Sequence, residues 1–431
     1  LDLRLFRMIK NTKGQYIAVL SIIITGIFIF TAVSNSAINL RDSLNDYYDA
    51  TNFADIFVTA AAIPEKLERE LEKAENIRQA DARLSIDTRF ITDNDDERVD
   101  VRAVSVDTNE NKINELFIKQ GRRTLSEREI IVIDQFALAR GIDIGDEMNL
   151  NINGRKYRFI VSAIASSPEY VYLMENEQVL LPDYENFGVA YIEEEYLRKI
   201  SGSGYFNEVV IRVNNQDNID KTKDFLEDEL KRYGVKRVID RDEQLSNSMM
   251  NEEINGLEKV SKSLPIVFLL FAGIMLAVML SRIVKKDRTS IGVLKAVGFT
   301  DSEIISHYLK YAASVGIIGG FLGSIIGTLA SGAMTNMYLE FFNIPMLTVK
   351  VYYYRIFISV ILSLLFCTAS GFWGIRNIIK INPAESMMPE PPKQGKRILL
   401  ENFKFFWTGL TFTWRIVFRN IFREKKKFLL I

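Results

Sequence analysis

Residues 287–309 read DRTSIGVLKAVGFTDSEIISHYL, a mixed polar and apolar stretch between two long apolar runs. Ile291 and Leu294 lie one turn apart on a helical face, and Gly298 is a residue type that ends helices. Residues 300–303, TDSE, have Thr and Glu at the spacing of a capping box that opens the next helix. The stretch predicts a short amphipathic helix between two membrane spans, which either rests on lipid or contacts another protein.

Four apolar runs are long enough to cross a bilayer as helices. They predict spans at 16–38, 264–284, 308–334 and 355–375. A cleaved signal peptide is the alternative for the first run, but that run is long and lacks a small-residue cleavage site. The sequence therefore predicts a membrane α-helical protein with four transmembrane helices and a large extracytoplasmic α+β domain between the first and second helices.

The orientation follows from Lys and Arg, which are retained on the cytoplasmic side of a membrane. They are frequent in the N-terminal segment 1–15, in the loop 285–307 and at the start of the linker 376–427. These three segments are predicted to be cytoplasmic, and the loop 335–354 is predicted to lie outside. The expected location is a bacterial cytoplasmic membrane, with the chain crossing it several times and the N-terminus in the cytoplasm.

The region 39–263 is rich in charged residues and alternates strand and helix patterns, as in an α+β domain. Its ends, 39–49 and 244–263, continue the adjoining spans with apolar residues at helical spacing. They predict either a pair of stalk helices above the membrane or two helices that each pack on the domain. A subdomain at about 105–203 is predicted to be inserted, and its Asn-Gly pair at 153–154 predicts a type I′ hairpin turn.

Composition argues against several classes of protein. The formal charge is -1 and no large basic stripe is present, so nucleic acid is not an expected partner. The only histidine is His307 and the only cysteine is Cys367, which leaves no metal site of the usual spacing and no assembled catalytic triad. The chain also lacks a phosphate-binding G-x-x-x-x-G-K-[ST] loop. We therefore expect neither an enzyme nor a resident cofactor or metal.

A longer segment, RTSIGVLKAVGFTDSEIISHYLKYAASVGIIGGFLGSIIG at 288–327, resembles the characteristic segment of the FtsX-like permease family. Residues 382–387, NPAESM, resemble a motif that follows the last span in that family, although the usual Leu-Arg ending is absent. EIIVIDQFALARGIDIGDEMNL at 129–150 is similar to the periplasmic core domain of MacB-like permeases.

The resemblance implies the membrane subunit of an ABC transporter whose short helix docks on a separate cytoplasmic ATPase, which binds the ATP. The residues implied for that contact are Arg288, Ile291, Gly292, Leu294, Lys295, Ala296, Gly298 and Phe299. In relatives, movement of the ATPase is thought to reach the outer domain mechanically, for export or extraction of lipid, lipoprotein or peptide substrates. One alternative is an FtsX-like transducer that controls an extracellular cell-wall hydrolase, and another is an ATP-independent membrane receptor.

The third span has small residues at four-residue spacing, which allow close helix approach. They are Gly316, Gly319, Gly320, Gly323 and Gly327, and they predict helix packing within lipid. FRMIKNTKGQYIAV at 6–19 also aligns with FRNIFREKKKFLLI at 418–431. Residues 428–431 are therefore expected to begin a second repeat, so a second permease half or subunit is an expected partner.

Overall fold

The structure, a computed structural model, describes residues 2–92, 94, 97–107, 113–179, 181–338, 341–376, 378 and 411–423. The helices are α1 (Asp2–Asn11), α2 (Lys13–Ala50), α3 (Lys66–Leu71), α4 (Asp134–Arg140), α5 (Glu194–Ser201), α6 (Ile219–Leu230), α7 (Leu245–Lys286), α8 (Arg288–Ala296), α9 (Asp301–Tyr338), α10 (Tyr353–Ile375) and α11 (Phe412–Arg423). The strands are β1 (Ile56–Ile63), β2 (Ile77–Arg83), β3 (Ser85–Phe90), β4 (Val99–Val106), β5 (Phe117–Gly121), β6 (Glu129–Ile133), β7 (Glu147–Ile152), β8 (Arg155–Ser166), β9 (Phe187–Glu193), β10 (Phe206–Val213) and β11 (Val235–Asp240). The motif at 382–387 and the expected repeat start at 428–431 lie outside the described residues.

Four helices, α2, α7, α9 and α10, are long and apolar enough to cross a membrane. A β-rich domain, residues 51–244, lies in the chain between α2 and α7 and is called the large domain here. The predicted fold class, four membrane helices with a large domain between the first and second, is confirmed.

Two of these helices are much longer than a bilayer requires. α2 has 38 residues and α7 has 42, which correspond to about 57 and 63 Å at 1.5 Å per residue. Roughly 30 Å of hydrocarbon needs only about 20 residues. Each helix therefore extends beyond the hydrocarbon into its connection with the large domain.

The first sheet of the large domain has the strand order β11-β1-β10-β2, and all its pairings are antiparallel. Alternate residues of β1, such as Ile56 and Val58, are buried together with Leu67 of α3 and Leu226 of α6. The sheet thus packs its helices on one face. Because β1 directly follows α2 and β11 directly precedes α7, this sheet receives both long helices.

The second sheet has the order β5-β8-β6-β9-β4-β3-β7, and β7 also pairs with β8, so its strands close on themselves. It begins at Ser85, whereas the sequence predicted an inserted subdomain from about residue 105. The reason is the parallel pairing of β4 with β9, from Asp100 and Phe187 onward. A period-two pattern shows that a segment is a strand but does not identify its partner. The hairpin turn between β7 and β8 forms as predicted, because Asn153 and Gly154 both have positive φ.

The chain divides into two compact units. One contains Leu1–Leu280 and His307–Gly374, and therefore the large domain and most of the four long helices. The other contains Ser281–Ser306 and Ile375–Ile431, whose described part includes α8, the first turns of α9 and α11.

Candidate functional site

The short helix α8 ends as the sequence predicts, at a glycine. Gly298 has a φ of +105°, a conformation that side chains with a Cβ rarely adopt. Its amide donates to the Lys295 carbonyl at 3.1 Å, and the Phe299 amide donates to the Leu294 carbonyl at 3.0 Å. These bonds satisfy carbonyl groups at the end of the helix. Glycine is therefore required where the chain leaves α8.

The exposed apolar face of α8 includes some of the predicted contact residues and leaves out others. Ile291 is completely buried and Gly292 is buried, so neither offers a contact to a partner. Val293 and Val297 are 42% and 73% exposed, and Ala296 lies beside them in the exposed class. We call Val293, Ala296, Val297 and Gly298 the α8 exposed face. Apolar residues occur on both sides of this helix, and that is why periodicity alone did not distinguish its buried side from its exposed side.

The remaining predicted contact residues differ in exposure. Gly298 is exposed, whereas Arg288, Leu294, Lys295 and Phe299 are half-buried. The Lys295 ammonium lies 2.6 Å from Asp301 and donates to the Ile378 carbonyl at 2.9 Å, with 10% of its side chain exposed. Lys295 thus joins α8 to the start of α9 and to a residue beyond α10, instead of pointing toward a partner.

The start of α9 has the predicted capping box. The Thr300 amide donates to Glu303 Oε2 at 2.8 Å, and the Glu303 amide donates to Thr300 Oγ1 at 3.3 Å. The two bonds satisfy amides that the first turn of a helix leaves open. The turn between α8 and α9 is therefore fixed on both sides, by backbone hydrogen bonds at the end of α8 and by side-chain caps at the start of α9.

Two of the predicted glycines bring α9 against α10. A Cβ built on Gly316 would lie 2.9 Å from Leu364 Cα, and one built on Gly320 would lie 3.0 Å from Val360 Cα. Ordinary carbon contacts are about 3.5–4.0 Å. The two backbones are in direct contact here, as expected for small residues at four-residue spacing.

The other three glycines bring α9 against α2. A Cβ on Gly323 would lie 2.8 Å from the Ile24 carbonyl oxygen, and one on Gly327 would lie 2.8 Å from the Phe28 carbonyl oxygen. Gly319 lies one turn away on the same face, against Ile23. α9 therefore packs between two neighbours through two separate glycine faces.

The same two helices are hydrogen-bonded nearer the large domain. Asn35 and Asn39 of α2 are fully buried, and their side-chain amides donate to Thr328 and Thr335 of α9 at 3.4 Å each. Polar bonds between helices in a membrane hold a specific register. These contacts were not predictable from the sequence, because two asparagines in an apolar run do not reveal their partners.

Beyond the apolar spans, α2 and α7 lie together. One buried cluster contains Leu40, Leu44 and Tyr47 of α2 with Met250, Ile254 and Leu257 of α7. Arg41 and Glu258 add an ion pair at 2.6 Å between the two helices. These portions of α2 and α7 form a paired stalk that leads to the large domain.

A buried carboxylate connects the ends of the stalk. Asp55 follows α2, is 1% exposed, and accepts from Arg241 at 2.6 Å, from Arg212 at 3.0 Å and from the Val213 amide at 2.9 Å. Arg241 precedes α7 and also donates to the Phe53 carbonyl at 2.6 Å. Burial lowers the pKa of the Arg241 guanidinium, and the Asp55 carboxylate acts in the opposite direction. The two ends of the stalk are thus held to the first sheet at a single point.

A second connection comes from the loop between α9 and α10. Asn343 is 7% exposed, its amide nitrogen donates to Asp134, and its side-chain oxygen accepts from Lys119 at 2.9 Å and from Ser166 at 3.1 Å. Its backbone amide donates to the Val171 carbonyl at 2.8 Å. All four partners belong to the part of the large domain that contains the second sheet. Asn343 therefore joins that part to the membrane helices.

Aromatic contacts surround this connection. Phe342 stacks on Tyr338 at a centroid distance of 6.1 Å and contacts Tyr172 at 5.2 Å. The Tyr184 hydroxyl donates to the Phe341 carbonyl at 3.0 Å. The aromatic side chains of this loop thus pack against the large domain.

Residues 262–383 match the family model described as FtsX-like permease C-terminal. Two solved structures similar to the chain each have a TM-score of 0.30. One is the extracellular domain of the noncanonic ABC-type transporter YknZ from Gram-positive bacteria, with 14% identity over 43% of this chain and 98% of that chain. The other is the periplasmic region of MacB from Actinobacillus actinomycetemcomitans, with 10% identity over 49% of this chain and 97% of that chain. The comparison with curated proteins found no match.

Proposed function

We propose that this chain, an FtsX-like permease by its residues 262–383, is the membrane subunit of an ABC transporter that a separate cytoplasmic ATPase drives. The ATPase binds the ATP and docks on the α8 exposed face. Its movements pass through the long helices to the large domain, which lies outside the cytoplasm. The substrates are lipids, lipoproteins or peptides handled at that outer face.

The proposal rests on which side chains of α8 are exposed and which are bonded within the protein. Val293 and Val297 are available to a partner, whereas Lys295 on the same helix is bonded to Asp301 at the start of α9. A displacement of the α8 exposed face would therefore be transmitted to α9 through the Lys295–Asp301 ion pair. A helix that only rests on lipid has no need of this internal connection.

The orientation is supported by charge. Arg282, Lys285 and Lys286, at the end of α7, are all exposed beside α8. Lys and Arg near the ends of spans are retained in the cytoplasm. The α8 exposed face is then on the side where an ATPase would find ATP.

Mechanical transmission is supported by the length and anchoring of the helices. α9 has 38 residues, about 57 Å, and begins next to α8. At its other end Asn343 is bonded to Asp134 of the large domain, and the stalk is held by Asp55 and Arg241. Rigid helices with anchored ends transmit displacement over this distance. From Tyr311 to Tyr338, α9 contains no ionisable Asp, Glu, Lys or Arg, which favours movement of the large domain over passage of a charged solute.

The experiment is co-purification of the full-length protein with a candidate cytoplasmic ABC ATPase. Wild type is compared with Val293→Asp and Val297→Asp, which place a charge on the α8 exposed face. Ser302→Asp is the matched control, because it adds the same charge at an exposed position in the first turn of α9, where acidic residues are tolerated. We expect loss of the ATPase only in the two valine variants, with normal membrane insertion in all three. Unchanged association in both valine variants would overturn the proposal and favour an interfacial helix or a receptor.

A further inference from the structure

Arg355 lies in the first turn of α10, at the end of the bundle nearest the large domain. Its Nη1 donates to Ser34 Oγ of α2 at 2.8 Å, and its Nε donates to the Tyr354 hydroxyl at 3.2 Å. Its guanidinium also lies 5.5 Å from the centroid of the Tyr354 ring. Among the described residues no carboxylate pairs with Arg355, and its Nη2 makes no hydrogen bond.

The nearest acidic residues of α2 are engaged elsewhere. Asp42 accepts a hydrogen bond from the Tyr352 hydroxyl at 3.0 Å and lies 3.8 Å from the Lys350 ammonium. Asp46 is also 3.8 Å from Lys350. Lys350 is therefore neutralised by Asp42 and Asp46, whereas the contacts of Arg355 within the described residues are neutral hydroxyl groups and an aromatic ring.

Along α10, Arg355 lies at the depth expected for lipid headgroups. It precedes Ile375 by about 20 residues, or about 30 Å of helix, which is the thickness of the hydrocarbon layer. Around it Tyr353 and Phe357 are 78% and 67% exposed, in the manner of aromatic residues at a membrane interface. At this depth the phosphate groups of lipids are anions within reach of the guanidinium.

We propose that Arg355 binds the phosphate of a phospholipid at the seam between α2 and α10. Ser34 fixes the guanidinium through Nη1, which leaves Nη2 and the open side of the fork for phosphate oxygens. Guanidinium binds phosphate through parallel charge-assisted hydrogen bonds. The exposed rings of Tyr353 and Phe357 favour a phosphate attached to acyl chains over a free anion. This site does not depend on the ATPase or on the proposed function.

The test is a lipid titration of the purified, delipidated full-length protein, read by native mass spectrometry. The probes are phosphatidylglycerol, a diacylglycerol with the same acyl chains, and soluble glycerol phosphate. Wild type is expected to bind phosphatidylglycerol at least about tenfold more tightly than diacylglycerol, the difference that one charge-assisted contact supplies. It should also bind phosphatidylglycerol more tightly than glycerol phosphate, which lacks the acyl chains. Arg355→Gln is expected to lose the preference for phosphatidylglycerol over diacylglycerol. Lys350→Gln, which removes a nearby cation that the protein already neutralises, is expected to keep it.

The possible results are distinguishable. Equal binding of diacylglycerol would show that the phosphate is not recognised, and equal binding of glycerol phosphate would show a site for free anions. Either result would overturn the proposal, as would a wild-type preference in Arg355→Gln. If Arg355→Gln does not fold, Ser34→Ala is the second test of the site. This variant keeps the charge of Arg355 but removes the hydrogen bond that orients its guanidinium. We expect several-fold weaker phosphatidylglycerol binding in that variant, and unchanged binding would contradict the site.

Discussion

Arg241 lies 2.6 Å from Asp55, and this ion pair joins the segment between β11 and α7 to the segment between α2 and β1. The two helices cross the membrane far apart in the sequence, yet their ends meet at one buried carboxylate. A displacement of either helix therefore reaches the first sheet at the same point. The pair therefore holds the two ends of the stalk together at the first sheet.

Arg241→Ala should strongly destabilise the protein. It leaves Asp55 buried with Arg212 as its remaining cation, and breaking a buried ion pair costs up to about 3–5 kcal/mol. Thermal melting of the full-length protein in detergent would show this as a lowered Tm. Arg41→Ala is the control, since the exposed Arg41–Glu258 pair is worth less than about 1 kcal/mol. Equal melting of the two variants would contradict the role of Asp55.

Gly323→Ala should weaken the contact between α9 and α2. The new Cβ would lie 2.8 Å from a backbone oxygen of Ile24, so one helix must move away, at a cost of about 1–3 kcal/mol. Gly332→Ala on the same helix is the control, because its Cβ would lie 3.4 Å from a Val349 side-chain atom, an ordinary contact. We expect a lower Tm only for Gly323→Ala, and an unchanged Tm would show that the helices adapt.

Lys295→Met should leave binding of the ATPase intact but weaken its coupling to the membrane helices. The variant loses the 2.6 Å ion pair with Asp301 and the bond to the Ile378 carbonyl, while the α8 exposed face stays intact. Under the proposed function, the ATPase should still co-purify, but stimulation of its ATP hydrolysis by the membrane subunit should fall several-fold. Assays on reconstituted complexes would measure both. Full stimulation in Lys295→Met would show that α8 does not act through this connection.

Asn343→Ala should loosen the second sheet from the membrane helices. It removes three side-chain hydrogen bonds at a site that is 7% exposed, and leaves Lys119 and Ser166 without that acceptor. Amide hydrogen exchange near Val171 should rise by about tenfold or more, the effect of losing one to two buried hydrogen bonds. Asn336→Ala, at an exposed position on α9, should leave exchange unchanged. Similar exchange in both variants would contradict the connection.

Glu194→Gln should stabilise the large domain in a pH-dependent manner. Burial raises the pKa of Glu194 to about 7 from an ordinary 4.5, although Arg198 acts in the opposite direction. The folded protein then holds a proton that the unfolded chain releases, so stability falls as pH rises from about 4.5 to 7 and stays low above that range. Glu194→Gln should melt several degrees higher than wild type at pH 8 and nearly equally at pH 4.5. The exposed Glu195→Gln should show no such difference.

Local features were predictable from the sequence, and long-range partners were not. Gly298 and residues 300–303 defined the end of α8 and the start of α9, because caps are formed by neighbours in the chain. The α9 glycines predicted close packing, but which glycine contacts which helix depends on α2 and α10. Asn343 was missed because its partner Asp134 is 209 residues away and no local pattern signals such a bond.

The hydrogen bonds between α2 and α9 have a consequence for biogenesis. Thr328 and Thr335 are synthesised 293 and 296 residues after Asn35 and Asn39, which is roughly 15 to 60 seconds at about 5–20 residues per second. During that interval Asn35 and Asn39 lack their α9 partners, while the whole large domain is synthesised. The hydrogen bonds between α2 and α9 can therefore form only after the large domain has been synthesised.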